Sequence, residues 1–172
     1  MLKIYYSNLR KYNEGIIDGI WIDLPMDEDE LRILINTVSR NGEDECFIPD
    51  YQTDVEELEV GQYDSVIELN ELAELIEDRD PEMVSAALYF LGKNATIEEL
   101  DRCIQDMYII PYDYSTKEES VARYAIEEWN AIEIPYEIED YFDYEAYGRD
   151  LLIEYSYYMP SNYENIYLKG EY

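Results

Sequence analysis

Histidine is absent from this sequence, and only 12 lysines and arginines stand against 42 aspartates and glutamates over 172 residues. Without histidine, the commonest general base and metal ligand at neutral pH is gone, and Ser-His-Asp or Cys-His arrangements are excluded. Cysteine is nearly as scarce. Cys46 and Cys103 lie far apart, form no CxxC, and are too few for a disulfide framework or a zinc site. Neither GxGxxG nor GxxxxGK[ST] occurs among the 7 glycines, so a glycine loop cradling phosphate has no support. No stretch approaches the roughly 18 apolar residues needed to span a bilayer. The segment Met1–Tyr6 lacks the basic start and long apolar core of a secretory signal. A reducing cytoplasm is the expected location. The shortage of positive charge also excludes partners: nucleic acid and anionic membrane surfaces would repel a chain of net charge -30.

What is present is an acidic chain that can still build a core. Hydrophobic residues make up 47% of it, including 20 tyrosines, whereas disordered acidic segments are poor in both. The charge is not a tail. Residues 1–60 hold 15 acids and 5 bases, residues 61–104 hold 11 and 3, and residues 105–172 hold 16 and 4, for net charges of -10, -8 and -12. Like charge at this density destabilises a folded chain, while steering a basic partner towards it.

Periodicity and turn residues predict an α+β fold in three segments. In 1–60, Leu2 to Asn8 and Ile16 to Leu24 read as a β-hairpin turned at Asn13-Glu14-Gly15. Asp27-Glu28-Asp29-Glu30 then reads as a capping box opening a helix that Asn41-Gly42 stops, and Cys46 to Tyr51 reads as a short edge strand because of Pro49. Segment 61–104 reads as a helical bundle. Val66 to Ile76 has helical spacing, Asp80-Pro81 opens a second helix stopped by Gly92, and Thr96 to Glu99 caps a third. Segment 105–172 reads as mixed: a strand over Met107 to Tyr114, a helix capped at Ser115 to Glu118, and a turn of helix after Pro135. A helix capped by Asp143 and strands over Tyr155 to Met159 and Asn165 to Leu168 follow. The three segments are expected to pack end to end as small domains.

Carboxylate chemistry has weak support. With 42 acids, some pair meets any glycosidase-like distance criterion by chance. The run Asp27 to Glu30 lacks the spacing and glycine of a calcium loop, and acids in a helix first turn are explained by the dipole. Many tyrosines suit a core or a half-buried sheet. Others sit among acids, as in Tyr136 to Tyr141, where a phenol can donate to a carboxylate without adding positive charge.

A global acidic surface invites comparison with duplex DNA. At one charge per about 1.7 Å of axis, 30 net charges correspond to roughly 50 Å of B-DNA, or about 15 base pairs. The candidate carboxylates of such a surface are Asp27, Glu28, Asp29, Glu30, Glu43, Asp44, Glu56 and Glu57 in the first segment. In the second they are Glu68, Glu71, Glu74, Glu77, Glu98 and Glu99, and in the third Glu118, Glu119, Glu127, Glu128, Glu137, Glu139 and Asp140.

Several strings carry a resemblance: Lys11-Tyr12-Asn13-Glu14-Gly15, Trp21-Ile22-Asp23-Leu24-Pro25, Glu68-Leu69-Asn70-Glu71-Leu72-Ala73, and above all Tyr141-Phe142-Asp143-Tyr144-Glu145-Ala146-Tyr147-Gly148-Arg149-Asp150-Leu151. Over nearly its whole length the chain resembles the ArdA antirestriction family, and the eleven-residue string resembles that family's antirestriction motif. The resemblance implies a non-enzymatic protein of mobile elements, without cofactor, that inhibits type I restriction–modification enzymes. It implies an elongated three-domain homodimer imitating bent B-form DNA, with a dimer contact in the C-terminal region. Read physically, Tyr144, Ala146-Tyr147 and Leu151 could give a helix an apolar face for a partner subunit, while Arg149 is expected to pair with neighbouring acids. Contact of the motif with the enzyme is the alternative. Two other functions fit the composition: an immunity-type inhibitor of a basic nuclease, and a carboxylate-dependent hydrolase.

Overall fold

Leu2 to Tyr5 alternate inward and outward at the start of β1 (Leu2–Asn8), the middle strand of a three-stranded antiparallel sheet in the order β2-β1-β3. The computed structural model describes residues 1–170; the last two residues of the expected third segment lie outside them. β2 (Gly19–Leu24) pairs with β1 so that Leu2 faces Leu24 and Ile4 faces Ile22. All four are buried, whereas Tyr5 and Trp21 meet on the other face, ring centroids 5.4 Å apart. The strand begins later than the expected Ile16. Asn8 ends β1 by capping α1 (Leu9–Asn13), its side chain accepting from the Lys11 N–H at 3.1 Å, so a helical turn replaces the tight hairpin turn. Gly19 then packs so closely that a Cβ there would lie 2.7 Å from Cζ of Tyr5.

β3 (Cys46–Thr53) is an edge strand, as Pro49 predicts, and runs two residues past Tyr51. Its register with β1 shifts between Tyr5 and Ser7, and Pro49, which has no N–H to offer a ladder, falls in that shift. Between the strands, Asp27 caps α2 (Glu28–Val38) by accepting from the N–H groups of Asp29 and Glu30. The reciprocal Glu30 bond of a full capping box is not made among the described residues. α2 ends where Arg40, Asn41 and Gly42 take φ of 55°, 58° and 83°.

The middle helices start where their caps stand. α3 (Val66–Asp78) is capped by Ser65, α4 (Pro81–Leu91) by Asp80 with Pro81 in the first turn, and α5 (Ile97–Asp106) by a complete Thr96/Glu99 box. Gly92 (φ 79°) stops α4.

The remaining strands, β4 (Tyr108–Pro111), β5 (Tyr155–Tyr158) and β6 (Asn165–Gly170), form a second antiparallel sheet in the order β4-β6-β5. β4 is shorter than the expected Met107 to Tyr114. It pairs with β6 from Tyr108 to Pro111 only. α6 (Lys117–Glu127), a 3₁₀ helix over Tyr136–Tyr141, and α7 (Tyr144–Leu151) lie between β4 and β5. The fold is mixed α+β, with two small antiparallel sheets and eight helices among the described residues.

One apolar cluster runs from Leu2, Ile4 and Ile22 of the first sheet through Leu31, Val55 and Leu58 into Leu69, Ile76, Val84 and Leu100 of the helices, and on to Tyr158 and Tyr167. It crosses the boundary expected near residue 60. Polar contacts cross with it: the Asn70 amide exchanges bonds with the Met26 backbone at 2.9 and 3.0 Å. A smaller cluster of Ile110, Val121, Ile166 and Leu168 sits between the second sheet and α6.

Candidate acidic interaction surface

The carboxylates occupy the solvent sides of elements whose other sides are buried. On α3, Leu69, Ala73 and Ile76 face the core, while Glu68, Glu71, Glu74 and Glu77 are exposed at every third position. At about 1.5 Å per residue, this row places a charge roughly every 4.5 Å along the axis, against 3.4 Å per phosphate on one DNA strand. Asp27, Glu28, Asp29 and Glu30 stand exposed in the cap and first turn of α2, as do Glu98 and Glu99 in the first turn of α5. Glu43, Glu56, Glu57, Glu127 and Glu128 are exposed too. The 3₁₀ helix buries none of its residues and presents Glu137, Glu139 and Asp140 to solvent.

Three of the candidate acids are drawn inward. The side chain of Asp44 is only 7% exposed: it accepts from the buried Asn8 amide at 3.0 Å and pairs with Arg10 (3.5 Å) and Arg40 (3.7 Å). Asp44 therefore holds α1 and the end of α2 to β1 rather than facing a partner. Glu118 and Glu119 are half-buried, paired with Lys117 (2.8 Å) and Arg123 (3.1 Å). The hydrogen bond from Lys117 holds the Glu118 carboxyl below its usual range, against the effect of burial. Ion pairs also claim Asp18, Asp23, Glu28, Glu43, Asp54 and Asp101. Most of the acids among the described residues make no ion pair.

Acids at exposed and half-buried positions also staple the chain. Glu56 accepts from the Ser161 hydroxyl, from the Ser161 N–H at 3.2 Å and from Tyr158 Oη at 3.3 Å, and the Ser161 bonds lead in holding its carboxyl below the usual range. Tyr167 Oη donates to Glu82 at 2.8 Å, and the Asn162 amide donates to the same carboxylate at 2.6 Å. Both phenols are pushed well above their ordinary pKa, first by burial and then by these carboxylates. Tyrosine does donate to carboxylates here, but from the core outward. Glu82 carried no signal in the sequence that would mark it for this role. Asp50, Glu59, Asp64, Asp78, Asp106, Asp113, Glu133 and Glu154 are as exposed as the acids singled out above, and only the fold distinguishes any of them.

The eleven-residue string is largely occupied inside its own chain. Asp143 caps α7 by accepting from the Ala146 N–H at 2.9 Å. Gly148 is buried against α6 so tightly that a Cβ would fall 1.8 Å from the Glu118 carbonyl oxygen. Arg123 of α6 lies over the rings of Tyr144 (3.9 Å) and Tyr114 (4.6 Å), and Phe142 packs edge-on against Tyr144 and Tyr147. Ala146 is half-buried, and Leu151 packs on the smaller apolar cluster. Tyr141, Glu145, Arg149 and Asp150 remain exposed. Arg149 forms no ion pair within 4 Å among the described residues, but its charge helps hold the Glu118 carboxyl below its usual range.

Among the described residues, no helix is long and apolar enough to cross a membrane, and no group of three or more Cys, Asp or Glu is placed to hold a metal ion. No curated protein matches the chain. The family model described as antirestriction protein (ArdA) matches residues 4–165. The chain that carries these exposed carboxylates thus belongs to the ArdA family, whose members are non-enzymatic antirestriction proteins that inhibit type I restriction–modification systems.

Proposed function

We propose that the chain inhibits its target by mimicking B-form DNA, its carboxylates occupying the surfaces where a type I restriction–modification enzyme binds duplex. The observation that carries this reading is the exposed, unpaired row Glu68, Glu71, Glu74 and Glu77 on α3, continued by exposed acids before and after it in the chain. An enzyme that gains affinity from phosphate contacts through lysine and arginine meets a comparable charge density here without bases or a scissile backbone. Asp44 is left out of this surface because its side chain is buried as well as paired. The three segments 1–60, 61–104 and 105–172 act as successive blocks of an elongated mimic in the cytoplasm.

The functional unit in this reading is a homodimer joined through the C-terminal segment. Tyr141, the first residue of the motif, and Tyr136, each 87% exposed, and Ile153, 75% exposed, supply apolar surface in and beside the motif. The test is competition: a purified type I enzyme and its recognition-site duplex, with this protein titrated over a salt series. Displacement that weakens as salt rises is expected. No displacement even at low salt would reject the mimicry.

A further inference from the structure

The acidic surface is interrupted by a groove of about 710 Å³ between the loop over residues 57–65, the first half of α3, and the loop leading into α5. Its floor is apolar: Leu69 and Leu100 are buried and Leu72 is half-buried. Its rim carries the exposed carboxylates Glu59, Glu68 and Glu71, none of them in an ion pair among the described residues, with Lys93 as the only base in the lining. The volume lies in the range of about 300–1,000 Å³ typical of pockets that enclose a ligand. Copying a phosphate row needs only charges on a convex surface; it does not need an apolar hollow.

We propose that this groove receives an arginine- or lysine-bearing segment of the target's DNA-binding surface, methylene stems on the leucine floor and cationic heads against the carboxylate rim. The inference rests on the DNA-mimic reading, which supplies a basic partner, and adds a term of shape to one of charge. Long basic side chains bury their stems along apolar surface while keeping the head among polar groups, and this groove offers both in the right order. A head meeting several unpaired carboxylates gains charge-assisted hydrogen bonds, and a stem on leucine gains burial that salt does not screen.

Filling the groove without removing a carboxylate separates the two terms. Ala95 and Asn94 both line it, the first half-buried and the second exposed. Ala95→Trp is expected to weaken inhibition of the type I enzyme by about thirtyfold, the size of a hot-spot loss, with the slope against salt unchanged. Asn94→Trp, at the more tolerant exposed site, is expected to act in the same direction. The triple variant Glu59→Gln, Glu68→Gln, Glu71→Gln should instead lower both potency and slope. A direct probe needs no enzyme: an acetylated Arg-Leu-Arg-Leu-Arg peptide should shift the methyl resonances of Leu69, Leu72 and Leu100 in the native protein, and fail to in Ala95→Trp. Native-level inhibition by both folded tryptophan variants, peptide shifts confined to surface carboxylates, or loss of self-association in Ala95→Trp would overturn the groove. Failure of the unaltered protein to displace duplex while the peptide still seats would reject mimicry and leave the groove standing.

Discussion

Gly148 holds α7 against α6 by having no side chain. A Cβ at 1.8 Å from a backbone oxygen cannot be accommodated by rotating anything; the helices must move apart. Gly148→Ala is therefore expected to cost about 3 kcal/mol, the upper end of ordinary overpacking, and to lower the thermal midpoint by roughly 6–12 °C, read by circular dichroism. Inhibition at low temperature should follow the folded fraction. Glu56 acts at the same scale through polarity. Its carboxyl titrates below the usual range because Ser161 and Tyr158 donate to it. A lowered folded pKa means that the charged form stabilises the fold above the unfolded value, near 4.3, and that this gain is lost as pH falls through the folded value. Glu56→Gln should destabilise at pH 7 and converge on the native protein as pH falls through the lowered folded value. A urea-unfolding series over pH checks this, and a difference independent of pH would remove the assigned role.

At the scale of elements, caps and stops were legible because they are local. Asp80-Pro81, Gly92 and Thr96 to Glu99 act within one turn of the residues they organise, and α4 and α5 start where those residues say. The first two strands pair as their sequence predicts, but a helical turn replaces the tight turn between them because Asn8 can end a strand and cap a helix equally well. The acidic row of α3 is the element most suited to a block test. Single Gln changes at Glu68, Glu71, Glu74 or Glu77 are each expected to weaken inhibition less than about fivefold, since an exposed charge contact is worth at most about 1 kcal/mol. All four together should weaken it well beyond tenfold. An inhibition constant for each variant decides it. One residue carrying the whole effect would point to a pinpoint contact instead of a distributed one.

For the whole molecule, the net charge of -30 makes two opposite demands on salt. Screening relieves self-repulsion within the chain, so the thermal midpoint should rise by a few degrees as sodium chloride goes from about 20 to 300 mM. The same screening weakens attraction to a basic enzyme surface, so potency should fall over that range. Calorimetry and competition, run in the same buffers, test the two trends together. A midpoint independent of salt would mean that the carboxylates lie too far apart to repel.

The sequence by itself determined the sign and amount of charge, the lack of histidine chemistry, the helix starts in the middle of the chain, and the motif that marks the family. Each of these is set by composition or by residues a few positions apart. The tertiary structure decided which carboxylates are free. Asp44 is withdrawn by Asn8, Arg10 and Arg40, Glu56 is tied to Ser161 across 105 positions, and the motif's glycine is spent on α6 rather than left for a partner. Pairing and burial depend on groups brought together from distant parts of the chain, and so does the apolar floor beneath the acids of α3. A list of acidic residues contains none of that.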